Sequence, residues 1–201
     1  MKQLLSKNFV IPVGAYVGVI ATIIISKTAI GSEYALLLSA GLMLWVPFLL
    51  DHGTAEVLRF DPKKLLQNTW ISLAVLFSYL VCMYLVAAYM GKTVRFIEPS
   101  ALLVLTHLVA IAFPEEFFFR GYIQRELGGG WGAVIAASAL FAAAHFLVIC
   151  VFSSGNYCGQ NTLTFFPSLV MGYLYMKTGT IWSSVFFHFA ANIIYLSFKL
   201  T

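Results

Sequence analysis

The feature that most constrains this chain is a series of long apolar runs separated by short polar segments. Hydrophobic residues make up 61% of the 201 residues, and charged residues make up only 10%. A soluble globular domain has about one quarter charged residues. Runs of about 20 apolar residues can cross a hydrocarbon core of about 30 Å as helices. The sequence therefore predicts an all-α, polytopic transmembrane helix bundle.

Seven apolar runs qualify as predicted spans, and they form a single membrane-embedded domain over residues 1–201. The first run has no small-residue cleavage site and is interpreted as a retained helix rather than a signal peptide. The division that the motifs below suggest is between N-terminal spans (residues 1–98) and a C-terminal half (residues 99–201). The predicted spans are residues 9–25, 33–50, 69–90, 100–126, 131–152, 162–177 and 180–198.

The basic residues between the spans predict how the bundle is oriented. The formal net charge of +4 is spread over several loops, which is typical of a topology signal and not of a nucleic-acid-binding surface. Seven spans place the termini on opposite sides, and more Lys and Arg residues fall on the N-terminal side. We therefore expect a cytoplasmic N-terminus.

The longest polar segment, residues 51–68, is predicted to contain an interfacial helix. Asp61 followed by Pro62 is typical of an N-cap with proline at the first helical position. His52 lies in the same segment and is interpreted as a solvated loop histidine rather than a ligand or base. Two cysteines, Cys82 and Cys150, fall in predicted spans and are expected to be buried thiols. A disulfide between Cys150 and Cys158 is geometrically conceivable but has no support from spacing.

A charge cluster within the fourth predicted span is the strongest indication of a functional site. The segment FPEEFFFRGYIQ places Glu115, Glu116 and Arg120 in an apolar run, where each charge is costly unless it is paired. Glu116 and Arg120 are four residues apart and can pair on one helix face. Glu115 points about 100° away and is left free to act as a general base. Pro114 is expected to kink the helix beside it.

Two later spans carry polar residues at the same four-residue spacing. Phe141 precedes His145 by four residues, and His188 precedes Asn192 by four residues, so each pair shares a helix face. A carboxylate, two histidines and an amide are sufficient for amide hydrolysis. Glu115 with His145 can deprotonate a water, and His188 with Asn192 can donate hydrogen bonds to an oxyanion.

Each of these residues also has a structural interpretation. A single transmembrane histidine or Asn192 can simply bridge helices, and a Glu–Arg pair is more often structural than catalytic. His107, two turns before Glu115, is interpreted as structural. The functional interpretation depends on the combination of these groups in three helices of the C-terminal half.

The combination EExxxR at Glu115, Glu116 and Arg120, FxxxH ending at His145, and HxxxN from His188 resembles the CAAX-protease and bacteriocin-processing family over residues 105–196. This resemblance implies an intramembrane glutamic endopeptidase with a helical-bundle fold. By motif, it implies that Glu115 and His145 activate water and that His188 and Asn192 form the oxyanion hole. It gives Glu116, Arg120 and Phe141 supporting roles.

The resemblance also implies partners and a location. The expected substrate is a protein or lipopeptide with an apolar, lipidated or C-terminal sorting segment, in contact with membrane lipid. A prokaryotic inner membrane suits a chain this short. We expect no cofactor, although zinc bound by Glu115, His145 and His188 is the alternative. A non-catalytic scaffold or bacteriocin-immunity protein and a proton-coupled carrier remain competing functions.

Overall fold

The helices follow the apolar runs that the sequence contains, and short segments connect them. The computed structural model describes residues 7–150 and 159–201. Two 3₁₀ segments, His52–Leu58 and Gly159–Thr164, and two antiparallel strands, β1 (Val94–Phe96) and β2 (Phe198–Leu200), lie between or after the helices. The helices are α1 (Lys7–Ile30), α2 (Ser32–Leu50), α3 (Pro62–Tyr89), α4 (Ala101–Gln124), α5 (Trp131–Cys150), α6 (Phe165–Thr178) and α7 (Trp182–Ser197).

Each predicted span coincides with one of these helices, and the largest difference is at the start of α3. Asp61 caps α3 by accepting hydrogen bonds from the backbone N–H groups of Lys63 and Lys64, and Pro62 occupies the first turn. The predicted cap is therefore confirmed, but it does not begin a separate interfacial helix. Residues 62–68 are the first turns of α3 itself, because nothing after the cap interrupts the helix.

Within the described residues, four helices are long and apolar enough to cross a membrane: Val10–Ile30 within α1, and all of α3, α4 and α5. The apolar stretch Tyr34–Leu50 of α2 is shorter, and α6 and α7 have 14 and 16 residues. At about 1.5 Å per residue, helices this short do not reach across a hydrocarbon core of about 30 Å. The described residues confirm an all-α membrane bundle, whereas the count of seven spans stays a prediction.

Helix α4 departs from regular α-helical hydrogen bonding on both sides of Pro114. Residues His107–Ala112 and Phe117–Gln124 form π-helical turns, and only Phe113–Glu116 between them is α-helical. Proline lacks an N–H group and therefore interrupts the regular ladder. Widened turns of this kind are frequent at functional sites. The structure therefore shows a change of hydrogen-bonding pattern on both sides of Pro114, whereas the expected kink stays a prediction.

The second half of α4 forms the centre of the bundle. All eight residues from Phe117 to Gln124 are buried. Phe119 packs edge-on against Tyr16 of α1 and Phe141 of α5, and the Tyr16 hydroxyl donates a hydrogen bond to the Leu140 carbonyl of α5. Helices α1 and α5 therefore pack on α4 directly, which fixes the position of the charge cluster.

The 3₁₀ segment His52–Leu58 closes one end of the bundle. The Ile181 amide donates to the Val57 carbonyl, and the Trp182 indole donates to the Leu58 carbonyl. A Cβ atom at Gly121 would lie 2.9 Å from Val57 Cγ2, so only glycine allows this close approach of the segment to α4. His52 belongs to this segment, but its side chain lies outside the described residues.

Helix α3 presents a broad apolar surface, as expected for contact with lipid. Cys82 lies on this helix as an exposed free thiol, so the expectation that it is buried was wrong. The reason is that α3 packs mainly through one narrow face. Cys150 is disulfide-bonded, so the expectation of a free buried thiol there was also wrong. Cys158, the partner considered for it, lies outside the described residues. The exposed side chains of α3 include Trp70, Leu73, Phe77, Leu85 and Tyr89.

Candidate active site

The Glu116–Arg120 pair is completely buried, and α6 supplies its additional partner. Arg120 Nε lies 3.2 Å from Glu116 Oε2, as the four-residue spacing predicts. This contact is an ion pair and not an aligned hydrogen bond. The other end of the guanidinium donates from Nη2 to the Ser168 carbonyl at 3.0 Å and to the Ser168 hydroxyl at 2.7 Å. A buried ion pair needs such further hydrogen bonds to offset desolvation.

The second oxygen of Glu116 contacts a histidine that comes from a different helix. His188 Nδ1 lies 2.9 Å from Glu116 Oε1. An ionised carboxylate only accepts hydrogen bonds, so Nδ1 carries a proton and donates it to Glu116. The opposite ring nitrogen, Nε2, then lies 3.8 Å from Glu115 Oε2. The two adjacent glutamates therefore contact opposite sides of one imidazole ring.

His145 reaches Glu115 from α5 in a similar way. Its Nδ1 atom lies 3.0 Å from the Phe141 carbonyl, which can only accept, so Nδ1 carries the proton. Its Nε2 atom lies 3.9 Å from Glu115 Oε2. These separations exceed a direct hydrogen bond of about 2.7–3.2 Å but allow one bridging water. Glu115 Oε2 is buried and has no hydrogen-bond partner among the described residues.

The ring of Phe141 contacts most of the polar groups in the site. Its centroid lies 4.3 Å from the His145 ring and 5.7 Å from the His188 ring. The Arg120 guanidinium lies 5.0 Å from the same centroid, within the range of a cation–π interaction. Phe141 is 2% exposed, so its ring is closely packed against these groups.

Two polar residues considered from the sequence lie apart from this cluster. Asn192 follows His188 by one turn on α7, is half-buried, and has no hydrogen-bond partner within the described part of the chain. His107 bonds through Nδ1 to the Leu103 carbonyl of its own helix at 2.8 Å, which agrees with a structural role. The structure thus brings together Glu115, His145 and His188, while Asn192 is placed only by its helix.

A cavity of about 350 Å³ leads to Glu115 and His145. Its walls come from α1, α2, α4 and α5, and most of the side chains that line it are apolar. The sequence did not indicate that the two first helices contribute to the site. The lining residues include Ile20, Ile23 and Lys27 of α1 and Leu36 and Met43 of α2.

The zinc alternative finds no geometric support here. Among the described residues, no group of three His, Cys, Asp or Glu side chains is arranged to hold a metal ion. Independence from metal stays a prediction.

Sequence reasoning missed Ser168 and a second polar contact one turn further along the same helices. Gln124 Nε2 donates to the Gly172 carbonyl at 2.9 Å, parallel to the Arg120–Ser168 contact. The available signal was the shared four-residue spacing, from Arg120 to Gln124 on α4 and from Ser168 to Gly172 on α6. Small residues at that spacing allow two helices to approach closely.

The fold and the site together define an integral membrane protein with a carboxylate–histidine cluster inside its helix bundle. Residues 97–194 match the family model described as Type II CAAX prenyl endopeptidase Rce1-like. Residues 97–194 therefore form a domain of the CAAX-protease and bacteriocin-processing family, which supports an intramembrane protease. The match includes every helix that carries the candidate catalytic residues and leaves α1 to α3 outside. Comparison with curated proteins and with solved structures finds no match.

Proposed function

We propose that this chain hydrolyses a peptide bond beside an apolar or lipidated segment, with Glu115 activating the attacking water. The observation that supports this most directly is the convergence of three atoms. Glu115 Oε2 lies 3.9 Å from His145 Nε2 and 3.8 Å from His188 Nε2. A water among these atoms has acceptors for both of its protons, which orients it and favours proton transfer to Glu115.

In the proposed reaction, the water oxygen bonds to the carbonyl carbon while one water proton passes to Glu115, directly or through His145. The carbonyl oxygen becomes an oxyanion. It accepts hydrogen bonds from the Asn192 amide and from Nε2 of His188 in its doubly protonated imidazolium form, since Nδ1 already donates to Glu116. Glu115 then gives its proton to the nitrogen as the C–N bond breaks, and the amine leaves. The reaction consumes one water and needs no cofactor.

The cavity supports an apolar substrate segment. Helices α1 and α2 supply mostly aliphatic side chains along its walls, and Glu115 and His145 lie in its lining. A segment that carries a prenyl group or several apolar residues would bury its surface there. The family match adds a lipidated C-terminal segment as the substrate class, of the kind that a CAAX motif produces.

The decisive test is Glu115→Gln in the full chain, purified in detergent or lipid vesicles. The substrate is an internally quenched peptide with S-farnesyl-cysteine followed by three apolar residues. We expect kcat to fall at least about 100-fold, because the amide cannot accept the water proton. The thermal unfolding midpoint should be unchanged, because the substitution is nearly isosteric.

Glu98→Gln is the matched control, since Glu98 is an exposed glutamate in the connection between α3 and α4. Full activity in Glu115→Gln would refute the role of Glu115 as base. Binding of the peptide by the wild-type chain without cleavage would instead favour a scaffold, and proton-driven uptake into vesicles would favour a carrier. Loss of wild-type activity on chelation, restored by zinc, would contradict the metal-free reaction.

A further inference from the structure

We infer that Ser168 is a positioning residue for His188, acting through Arg120 and Glu116. This inference rests on the proposed function. Ser168 lies in the first turns of α6, in a helix that contributes no other side chain to the polar cluster, and it is completely buried. Its influence is exerted through two intervening side chains, Arg120 and Glu116, which are both completely buried.

The first step is that Ser168 orients the guanidinium. Within the described part of the chain, both hydrogen bonds of Arg120 go to Ser168, at 3.0 Å to the carbonyl and 2.7 Å to the hydroxyl. Arg120 Nε and Nη1 have no hydrogen-bond partner there. The ion pair with Glu116 and the ring of Phe141 attract the cation but do not impose a direction as a hydrogen bond does.

The second step is that Arg120 holds one oxygen of Glu116 and leaves the other for His188. Oε2 faces Arg120 Nε at 3.2 Å, and Oε1 accepts from His188 Nδ1 at 2.9 Å. A rotation of the carboxylate would disturb both contacts together. The carboxylate orientation therefore sets the plane of the His188 ring and the direction of its Nε2 atom, which faces Glu115 at 3.8 Å.

Contacts other than those of Ser168 hold α6 against its neighbours, so a positioning role of Ser168 can be distinguished from a role in helix packing. Gln124 and Gly172 form an independent polar contact between α4 and α6, and Ser184 of α7 donates to the Met171 carbonyl of α6 at 2.7 Å. Helix α6 is therefore attached to both neighbours without Ser168. Ser184 is also completely buried. It differs from Ser168 in that its hydroxyl contacts neither Arg120 nor Glu116.

The test compares Ser168→Ala with Ser184→Ala in the full chain. We expect Ser168→Ala to lower kcat about tenfold with KM within about twofold, because a small misplacement of a reacting group reduces rate and not binding. Ser184→Ala should leave kcat unchanged. The second readout is the Nδ1–H resonance of His188 in protein labelled with ¹⁵N-histidine. The chain has 4 histidines, and the loss of one signal in His188→Gln makes the assignment.

Ser168→Ala should shift or broaden the His188 signal, and Ser184→Ala should not. Ser168→Cys keeps the volume of the side chain and replaces Ser168→Ala if the alanine variant does not fold. An unchanged kcat and an unchanged His188 signal in the Ser168 variant would overturn the inference, as would equal losses in Ser184→Ala. If the wild-type chain cleaves no peptide, the proposed function fails, and the His188 signal alone decides the role of Ser168.

Discussion

Helices α4 to α7 differ from helices α1 to α3 in the polarity of the side chains that they bury. The first group buries Glu116, Arg120, Gln124 and His188, whereas the described residues of the second group bury two polar side chains, Ser26 and Ser72. The charges of the first group are held by partners from three helices. The second group offers apolar walls to the cavity and apolar surface to the lipid.

This difference suggests that α4 to α7 carry the reacting groups and that α1 and α2 shape the cavity through which a substrate reaches them. A buried ion pair is tolerated where its geometry is good and further hydrogen bonds offset its desolvation, and here those bonds come from α6 and α7. Cavity walls require only shape and apolar character, which many sequences satisfy. The match of the family model to residues 97–194 alone agrees with this division.

The largest expected effect comes from removing a charge in the first group. Arg120→Met leaves Glu116 buried beside His188 without its cationic partner, and breaking a buried pair in this way costs about 3–5 kcal/mol. Unfolding in detergent, followed by circular dichroism, measures this loss. Arg95→Met on β1 is the control, because that side chain is exposed. Equal stability of the two variants would show that the Glu116–Arg120 pair is dispensable.

A smaller effect is expected where α4, α5 and α6 approach most closely. A Cβ atom at Gly172 would lie 2.9 Å from both Gln124 Oε1 and Val134 Cγ1. Gly172→Ala should therefore lower the free energy of unfolding by about 1–3 kcal/mol. Gly132→Ala on α5 meets nothing within 4 Å and should be neutral or stabilising. A Gly172→Ala protein as stable as Gly132→Ala would mean that these helices pack less tightly than the structure indicates.

The smallest effect concerns the cavity wall and should appear in substrate binding. Leu36 of α2 lines the cavity, while its neighbour Leu37 is 66% exposed. Leu36→Trp should fill part of the cavity and raise KM about tenfold with little change in kcat. Leu37→Trp should leave both constants unchanged. If Leu36→Trp lowered kcat and left KM unchanged, α2 would belong to the catalytic group and the division between the two halves would fail.

Much of the helical framework could be predicted from the sequence, because long apolar runs and the Asp61–Pro62 cap act locally. The i,i+4 pairing of Glu116 with Arg120 was predictable for the same reason, and the structure has it. The lengths of the helices were harder to predict from the sequence. The ends of α6 and the start of α3 depend on neighbouring segments, so the count of seven spans stays a prediction.

The sequence by itself determined which residues carry charge in an apolar setting and which of them share a helix face. Only the tertiary structure decided that His188 binds Glu116, that Arg120 donates to Ser168, and that α1 and α2 contribute to the cavity walls. The physical reason is the separation in sequence over which each kind of interaction acts. Backbone hydrogen bonding relates residues one turn apart on a single helix, whereas contacts between helices depend on how close their backbones come. At Phe113–Gln124 this packing separates two adjacent glutamates, one fixed between Arg120 and His188 and the other facing the cavity.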